Sequence, residues 1–268
     1  MKYQETATVY DNRKIALHHF VIKLHSPNIA KTIRPGQFVN ILVDPSHEIL
    51  LRRPFSVYKI DRGASFIEIL YRVVGKGTKK LAQYKEGTTL DILGPLGQGF
   101  NLKPKTKNII LIGGGCGIAP LLPLAQAINP GAQPLFPGRY RLTTIIGAGT
   151  KDQVLSAQEF IAMGADVHIS TDDGTLGHKG FATDILKRLL ATGPRTLVTI
   201  YACGPYPMLK ETARLAKKYK HKCQVSLEEY MGCGLGACLS CVCQGKKKNL
   251  LVCKDGPVFA AEGLIWPK

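Results

Sequence analysis

NIILIGGGCGIAPLLPLAQAI, residues 108–128, is the most apolar run of the 268-residue chain, and glycine and proline interrupt it repeatedly. Gly113, Gly114, Gly115, Gly117, Pro120 and Pro123 break it too often for a membrane span. A buried strand over 108–115, a tight glycine loop and a helix over 119–128 account for it. Apolar strands recur at 142–149, 167–170 and 197–204, with helical patterns between them at 153–163, 181–191 and 205–220. Strand and helix alternate, so 103–222 reads as a parallel α/β domain.

Upstream the texture differs. ALHHFVIKL, QFVNILV, RPFSVYKI and SFIEILYRVV are short runs bounded by Gly, Pro, Asp or Asn. They have the pattern of an antiparallel barrel or sandwich, and a β-barrel over 1–102 is expected. Downstream, 223–268 is rich in turns and cysteine, and too small to fold without a staple. The fold class is therefore α/β plus β, in three domains.

Length and composition fit a globular protein, and the first residues lack a signal peptide's apolar core. A cytoplasmic protein with no membrane attachment is expected. The formal net charge of +17 permits a nucleic-acid partner. No groove-reading helix or RNA-binding motif accompanies it, so none is expected. The seven histidines form no ligand-spaced pair. Asp172-Asp173 and Glu228-Glu229 have no nucleophile or metal partner in the sequence, which gives a hydrolase no support.

Five of the eight cysteines fall between 233 and 253. A disulfide framework belongs to small secreted chains, so this clustering points to a metal or redox centre. Cys233, Cys238 and Cys241, followed by Cys253, have the plant-type [2Fe–2S] spacing. Three thiolates must turn around one small inorganic core, and Gly232, Gly234, Gly236 and Ala237 let the backbone approach it. The fourth ligand would come from a separate strand, LLVCK. Zinc fits less well, because structural zinc sites pair two short Cys units and Cys253 is solitary. Cys243 reads as a spare thiol.

Three weaker signals concern flavin. Arg53-Pro54-Phe55-Ser56 can set a guanidinium on a pyrophosphate and a hydroxyl near a flavin ring. Leu70-Tyr71-Arg72 offers an aromatic ring, and Gly75-Lys76-Gly77-Thr78 offers backbone amides and a hydroxyl to phosphate. The loop Gly113, Gly114, Gly115, Gly117 suits a dinucleotide pyrophosphate, although it departs from the GxGxxG spacing. Ala202-Cys203-Gly204-Pro205 ends another strand on the same edge. Thr171-Asp172-Asp173-Gly174 places acids where an adenosine ribose would lie, which favours NAD over NADP.

RPFS, GKGT, GGGxGxAPL, ACGP and the terminal cysteine segment occur in an order that resembles the ferredoxin–NADP reductase superfamily with an added [2Fe–2S] domain. MGCGLGACLSCVC followed by CKDGPVF is similar to the electron-transfer subunits of type B dihydroorotate dehydrogenases. The resemblance implies FAD held by Arg53, Pro54, Phe55, Ser56, Leu70, Tyr71, Arg72, Gly77 and Thr78. It implies cluster ligation by Cys233, Cys238, Cys241 and Cys253, and by analogy it sets Cys203 beside the nicotinamide of NAD(H). It further implies a catalytic partner carrying FMN, two copies of each subunit, and a place in pyrimidine biosynthesis. Cys116 and Tyr230 depart from the family pattern. Reductase subunits serving ferredoxin, hydrogenase or sulfur chemistry are the alternative reading, and a zinc-stapled nucleic-acid module a distant one.

Overall fold

A computed structural model describes residues 1–44, 46, 48–133, 138–192 and 196–267. The first region comprises β1 (Tyr3–Ala16), β2 (His19–His25), α1 (Pro27–Thr32), β3 (Phe38–Ile41), β4 (Arg53–Ser56), β5 (Lys59–Asp61), β6 (Phe66–Arg72), α2 (Lys76–Leu81) and β7 (Thr89–Leu96). Its strands form one antiparallel sheet in the order β4-β3-β7-β1-β2-β6-β5. β4 and β5 remain edges, so the barrel expected from the sequence is a curled half-barrel. Side chains approach across the opening, where the Phe55 ring meets the Tyr71 ring edge-on at 5.9 Å. The alternation on β6 explains the curl's filling: Ile67, Ile69 and Tyr71 enter the interior with Val9, Ile22, Leu24, Ile41 and Ile92. Leu70 faces the other way, into the next region.

The second region comprises β8 (Asn108–Gly114), α3 (Leu121–Ile128), β9 (Arg141–Ala148), α4 (Ala157–Ala162), β10 (Asp166–Thr171), β11 (His178–Lys179), α5 (Ala182–Thr192), β12 (Val198–Cys203), α6 (Tyr206–Lys218) and β13 (Lys222–Ser226). After it come β14 (Val242–Gln244), β15 (Asn249–Leu251) and β16 (Val258–Ala260). The sheet order is β11-β10-β9-β8-β12-β13-β16, parallel except for β16. The chain leaves β8 toward β9 on one side and returns to β12 on the other. The crevice between the carboxyl ends of β8 and β12 is thus the topological switch point, where open α/β sheets bind ligands.

β8 is buried on both faces: Ile109 and Leu111 pack with Leu122, Phe160 and Tyr201, while Ile110 and Ile112 pack with Ile200, Leu209 and Val225. The second of these cores runs on into Cys241, Val252, Cys253 and Phe259. The cysteine-rich segment therefore has no core of its own. β13 straddles the boundary expected at 222/223 and belongs to the parallel sheet.

The helix expected over 153–163 is interrupted. Ser156 takes a left-handed conformation (φ 63°), and α4 begins only after it. The Ser156 hydroxyl lies 3.1 Å from the Tyr58 hydroxyl, which donates to Glu159 Oε1 at 2.7 Å. This contact ties the half-barrel to α4. Among the described residues no helix is long and apolar enough to cross a membrane.

Candidate functional site

Two arginines in sequence do different work. Arg52 is spent on Asp91, with Nη2 2.5 Å from Oδ2 and Nη1 donating to the Asp91 carbonyl at 3.1 Å. Arg53 has no acidic partner among the described residues. It lies over Gly77, where a Cβ would come within 3.3 Å of its Nε. Its Nη1 donates to the Leu51 carbonyl at 2.6 Å, and a guanidinium without a carboxylate above the first turn of α2, whose leading N–H groups have no helical acceptors, fits a pyrophosphate. Thr78 differs from expectation. Its hydroxyl accepts the N–H groups of Val74 and Gly75 at 2.9 and 3.1 Å, so it shapes the turn and leaves phosphate to the backbone.

Pro54, Phe55 and Ser56 lie half-buried along β4, and Ser56 pairs in register with Phe38. Tyr71 was expected to pack on the flavin, but its ring is buried against Phe20 and Phe55, and its hydroxyl donates to Asn12 Oδ1 at 3.0 Å. Strand alternation forces this inward direction and leaves the backbone of Leu70-Tyr71-Arg72 as its outward offering.

At the switch point the glycine loop is pressed against the end of β12. A Cβ on Gly117 would overlap the Cys203 carbonyl, and one on Gly114 would come within 2.8 Å of Pro205. At these glycines the two loops meet backbone to backbone, which leaves room for a close-lying dinucleotide. Both thiols here are held neutral. Burial pushes Cys203 up to about 12; the Ser226 hydroxyl opposes the rise and Glu228 adds to it. Burial likewise pushes Cys116 up to about 11, with Glu228 adding and Arg72 opposing. Two strands away, Asp173 is consumed by its own turn, accepting from Thr175 N and Oγ1 at 2.9 and 2.7 Å. Asp172 is exposed.

The cysteine loop brings its thiols together in two pairs. The outer pair is Cys233 and Cys238, with the Cys233 N–H donating to Cys238 Sγ at 3.4 Å. The inner pair is Cys241 and Cys253, with the Cys253 N–H 3.4 Å from Cys241 Sγ. Cys233 Sγ accepts N–H groups from Leu235, Ala237 and Cys238 at 3.3, 3.4 and 3.4 Å. Burial works against the Cys233 thiolate, yet these amides hold its pKa below the ordinary value. The Ser240 hydroxyl and N–H, with the Cys233 N–H, bring Cys238 down to about 6.

Two thiols for each of two irons, cradled by amides, fit a [2Fe–2S] centre. Cys253 sits in the turn just after β15, not on the strand as expected, and the Asp255 carboxylate closes that turn by accepting Leu251 N–H at 2.8 Å. Cys243 belongs to neither pair and lines a separate cleft with Tyr206 and Trp266.

Residues 228–265 match the family model for the iron–sulfur cluster binding domain of dihydroorotate dehydrogenase B, and 8–100 match an oxidoreductase FAD-binding domain. The chain is 40% identical to the "Dihydroorotate dehydrogenase B (NAD(+)), electron transfer subunit" of Fusobacterium nucleatum, covering 96% of both chains. It is 39% identical to that of Geobacillus kaustophilus, covering 98% of both. The chain belongs to the dihydroorotate dehydrogenase B electron transfer subunit family. Among solved structures, it matches one described as a NADH-dependent reduced ferredoxin–NADP oxidoreductase at TM-score 0.84 and 32% identity. That match covers 97% of this chain and 90% of the other. A ferredoxin reductase of carbazole 1,9a-dioxygenase, at TM-score 0.66 and 23% identity over 82% of this chain and 67% of the other, shares the fold.

Two residues of this family member escaped the sequence reading. Glu228, an acid without a partner in the sequence, adds to the burial that raises both crevice thiols. Its position just past β13, on the ligand edge of the sheet, was the available signal. Asn40, inside an ordinary strand, gave none; its side-chain Nδ2 donates to the Cys233 carbonyl at 3.3 Å.

Proposed function

We propose that this chain carries electrons between the FMN of a dihydroorotate dehydrogenase catalytic subunit and NAD+. One observation carries the reading: the cysteine loop is anchored by β3, and β3 is laddered to the Arg53–Ser56 strand. When bound, FAD exchanges single electrons with a [2Fe–2S] cluster and a hydride with nicotinamide. The chain's own residues hold these groups in sequence. Cys233, Cys238, Cys241 and Cys253 would ligate the cluster. Arg53 would neutralise the FAD pyrophosphate, with the α2 amides at Gly77 and Thr78, while Pro54, Phe55, Ser56 and the backbone of Leu70, Tyr71 and Arg72 would border the flavin ring.

Gly113, Gly114, Gly115 and Gly117 would admit NAD(H), with Cys203 as a neutral wall of the nicotinamide pocket. Hydride transfer needs no acid or base at that wall, and a thiol held up to about 12 supplies none. The outer thiols are flanked by the exposed apolar side chains Tyr230, Leu235, Leu239 and Val242, which suit a protein partner. A heterotetramer with two copies of each subunit is part of this proposal.

The test is co-expression with an FMN-containing dihydroorotate dehydrogenase catalytic subunit. Co-purification, and NAD+ reduction that depends on dihydroorotate, is the expected result. Capture by a hydrogenase or ferredoxin-linked subunit instead, with no orotate formed, would sink it.

A further inference from the structure

We infer that Asn40 is a positioning residue of the electron path, fixing the Cys233 end of the cluster loop against the flavin strand pair. The inference rests on the reading of Cys233 as a cluster ligand. On β3, Val39 and Ile41 turn into the half-barrel, so alternation sends Asn40 to the opposite face. There it is 1% exposed. Its Nδ2 donates to the Cys233 carbonyl at 3.3 Å, while its Oδ1 is buried with no hydrogen-bond partner in the protein.

An amide with half its hydrogen-bonding capacity unmet is a costly choice at a buried strand position. Leucine would fill the same space without an orphaned oxygen. The donor toward Cys233 is what leucine cannot offer. The amide's orientation is fixed as well, because the opposite rotamer would point one oxygen at another.

The loop is shaped to receive this contact. Gly234 has a left-handed backbone (φ 71°), and a Cβ there would collide with Asn40 Nδ2. The remaining connection is through the backbone. Asn40 pairs in register with Pro54, and its carbonyl accepts Arg52 Nη1 at 3.5 Å, the same guanidinium that Asp91 holds. One residue thus has its backbone in the flavin ladder and its side chain on a ligand residue of the cluster loop. Its displacement would change the relation between the two centres while leaving the ligands and the flavin contacts in place.

The experiment compares the parent complex with Asn40→Leu and Asn40→Asp, each co-purified with the catalytic subunit. Iron and flavin content, the electron paramagnetic resonance spectrum of the reduced cluster, and anaerobic single-turnover rates are read. Both variants should keep full flavin and iron, with NADH-driven flavin reduction within about twofold of the parent. Both should show altered cluster g-values and an electron transfer from flavin to cluster slower by about tenfold, the lower end for loss of a ligand-supporting contact.

Parent-like spectra and rates in Asn40→Leu overturn the positioning role. If Asn40→Leu does not fold, Asn40→Asp is read in the same way. Loss of flavin and iron together in both variants shows a general structural role and also overturns it. A parent complex without a [2Fe–2S] signal instead refutes the ligand assignment, a distinguishable failure.

Discussion

Two glycine-rich loops in this molecule each carry cysteine, and they treat sulfur in opposite ways. The loop after β8 buries Cys116 against the end of β12, and burial pushes that thiol up to about 11. In the loop before Cys241, backbone and hydroxyl donors converge on sulfur, and Cys238 falls to about 6. Glycine serves closeness in both. In the first it lets the loop lie against the Cys203 carbonyl; in the second it lets the chain's own amides turn inward. What differs is burial without donors at Cys116 against donors converging on an exposed sulfur at Cys238, and that decides whether a thiolate is tolerated.

The severest challenge to this contrast is removal of the proposed ligand thiols. Replacing Cys233, Cys238, Cys241 or Cys253 by Ala should abolish the [2Fe–2S] absorbance and electron transfer to the catalytic subunit. NADH-driven reduction of FAD with an artificial acceptor should survive. A single variant that keeps full iron would break the two-pair arrangement.

Next in size is the floor of the crevice. Gly117→Val must displace the Cys203 carbonyl, and such overpacking costs about 1–3 kcal/mol of stability. Thermal unfolding should show it, together with a raised KM for NADH and an intact cluster spectrum. An unchanged KM would remove the loop from the dinucleotide site.

A third test addresses the neutral thiols. Ordinary cysteine titrates at 9.0, and Cys116 is raised to about 11 and Cys203 to about 12. Their thiolate forms appear only as pH rises through those values. At about pH 7.5, iodoacetamide should therefore modify Cys116 about a hundredfold more slowly than an ordinary thiol, a factor of ten per pKa unit, and Cys203 more slowly still. Mass spectrometry on the folded protein reads both rates, and ordinary reactivity would refute the burial. The smallest effect belongs to Cys243→Ala. Iron content, spectrum and transfer rate should be unchanged, with a stability loss of about 1 kcal/mol. A lost cluster there would make Cys243 a ligand.

Much of this was legible because local chemistry and fold agree. The 108–128 run needs only glycine and apolar spacing to become strand, loop and helix, and the cysteine spacing carries its own geometry. Other features depend on the tertiary arrangement. RPFS does not reveal which arginine lacks a carboxylate, since Asp91, far away in sequence, takes Arg52. SFIEILYRVV shows a strand but not which face is interior, so Tyr71 could be read outward. Residues 153–163 carry a helical pattern that Ser156 breaks to meet Tyr58. Asn40 and Glu228 acquire meaning only from segments brought to them by folding.

β16 has a consequence for how the protein is made. It pairs antiparallel with β13 and covers an edge that would otherwise offer unpaired backbone groups. It also follows Cys253, the last thiol of the cysteine loop, in the order of synthesis. A chain emerging N-terminus first presents β13 well before the strand that seals it. Sealing of the sheet and completion of the thiol set therefore fall in the same short interval of translation, and a ribosome stalled before residue 253 would hold a dinucleotide domain with both tasks undone.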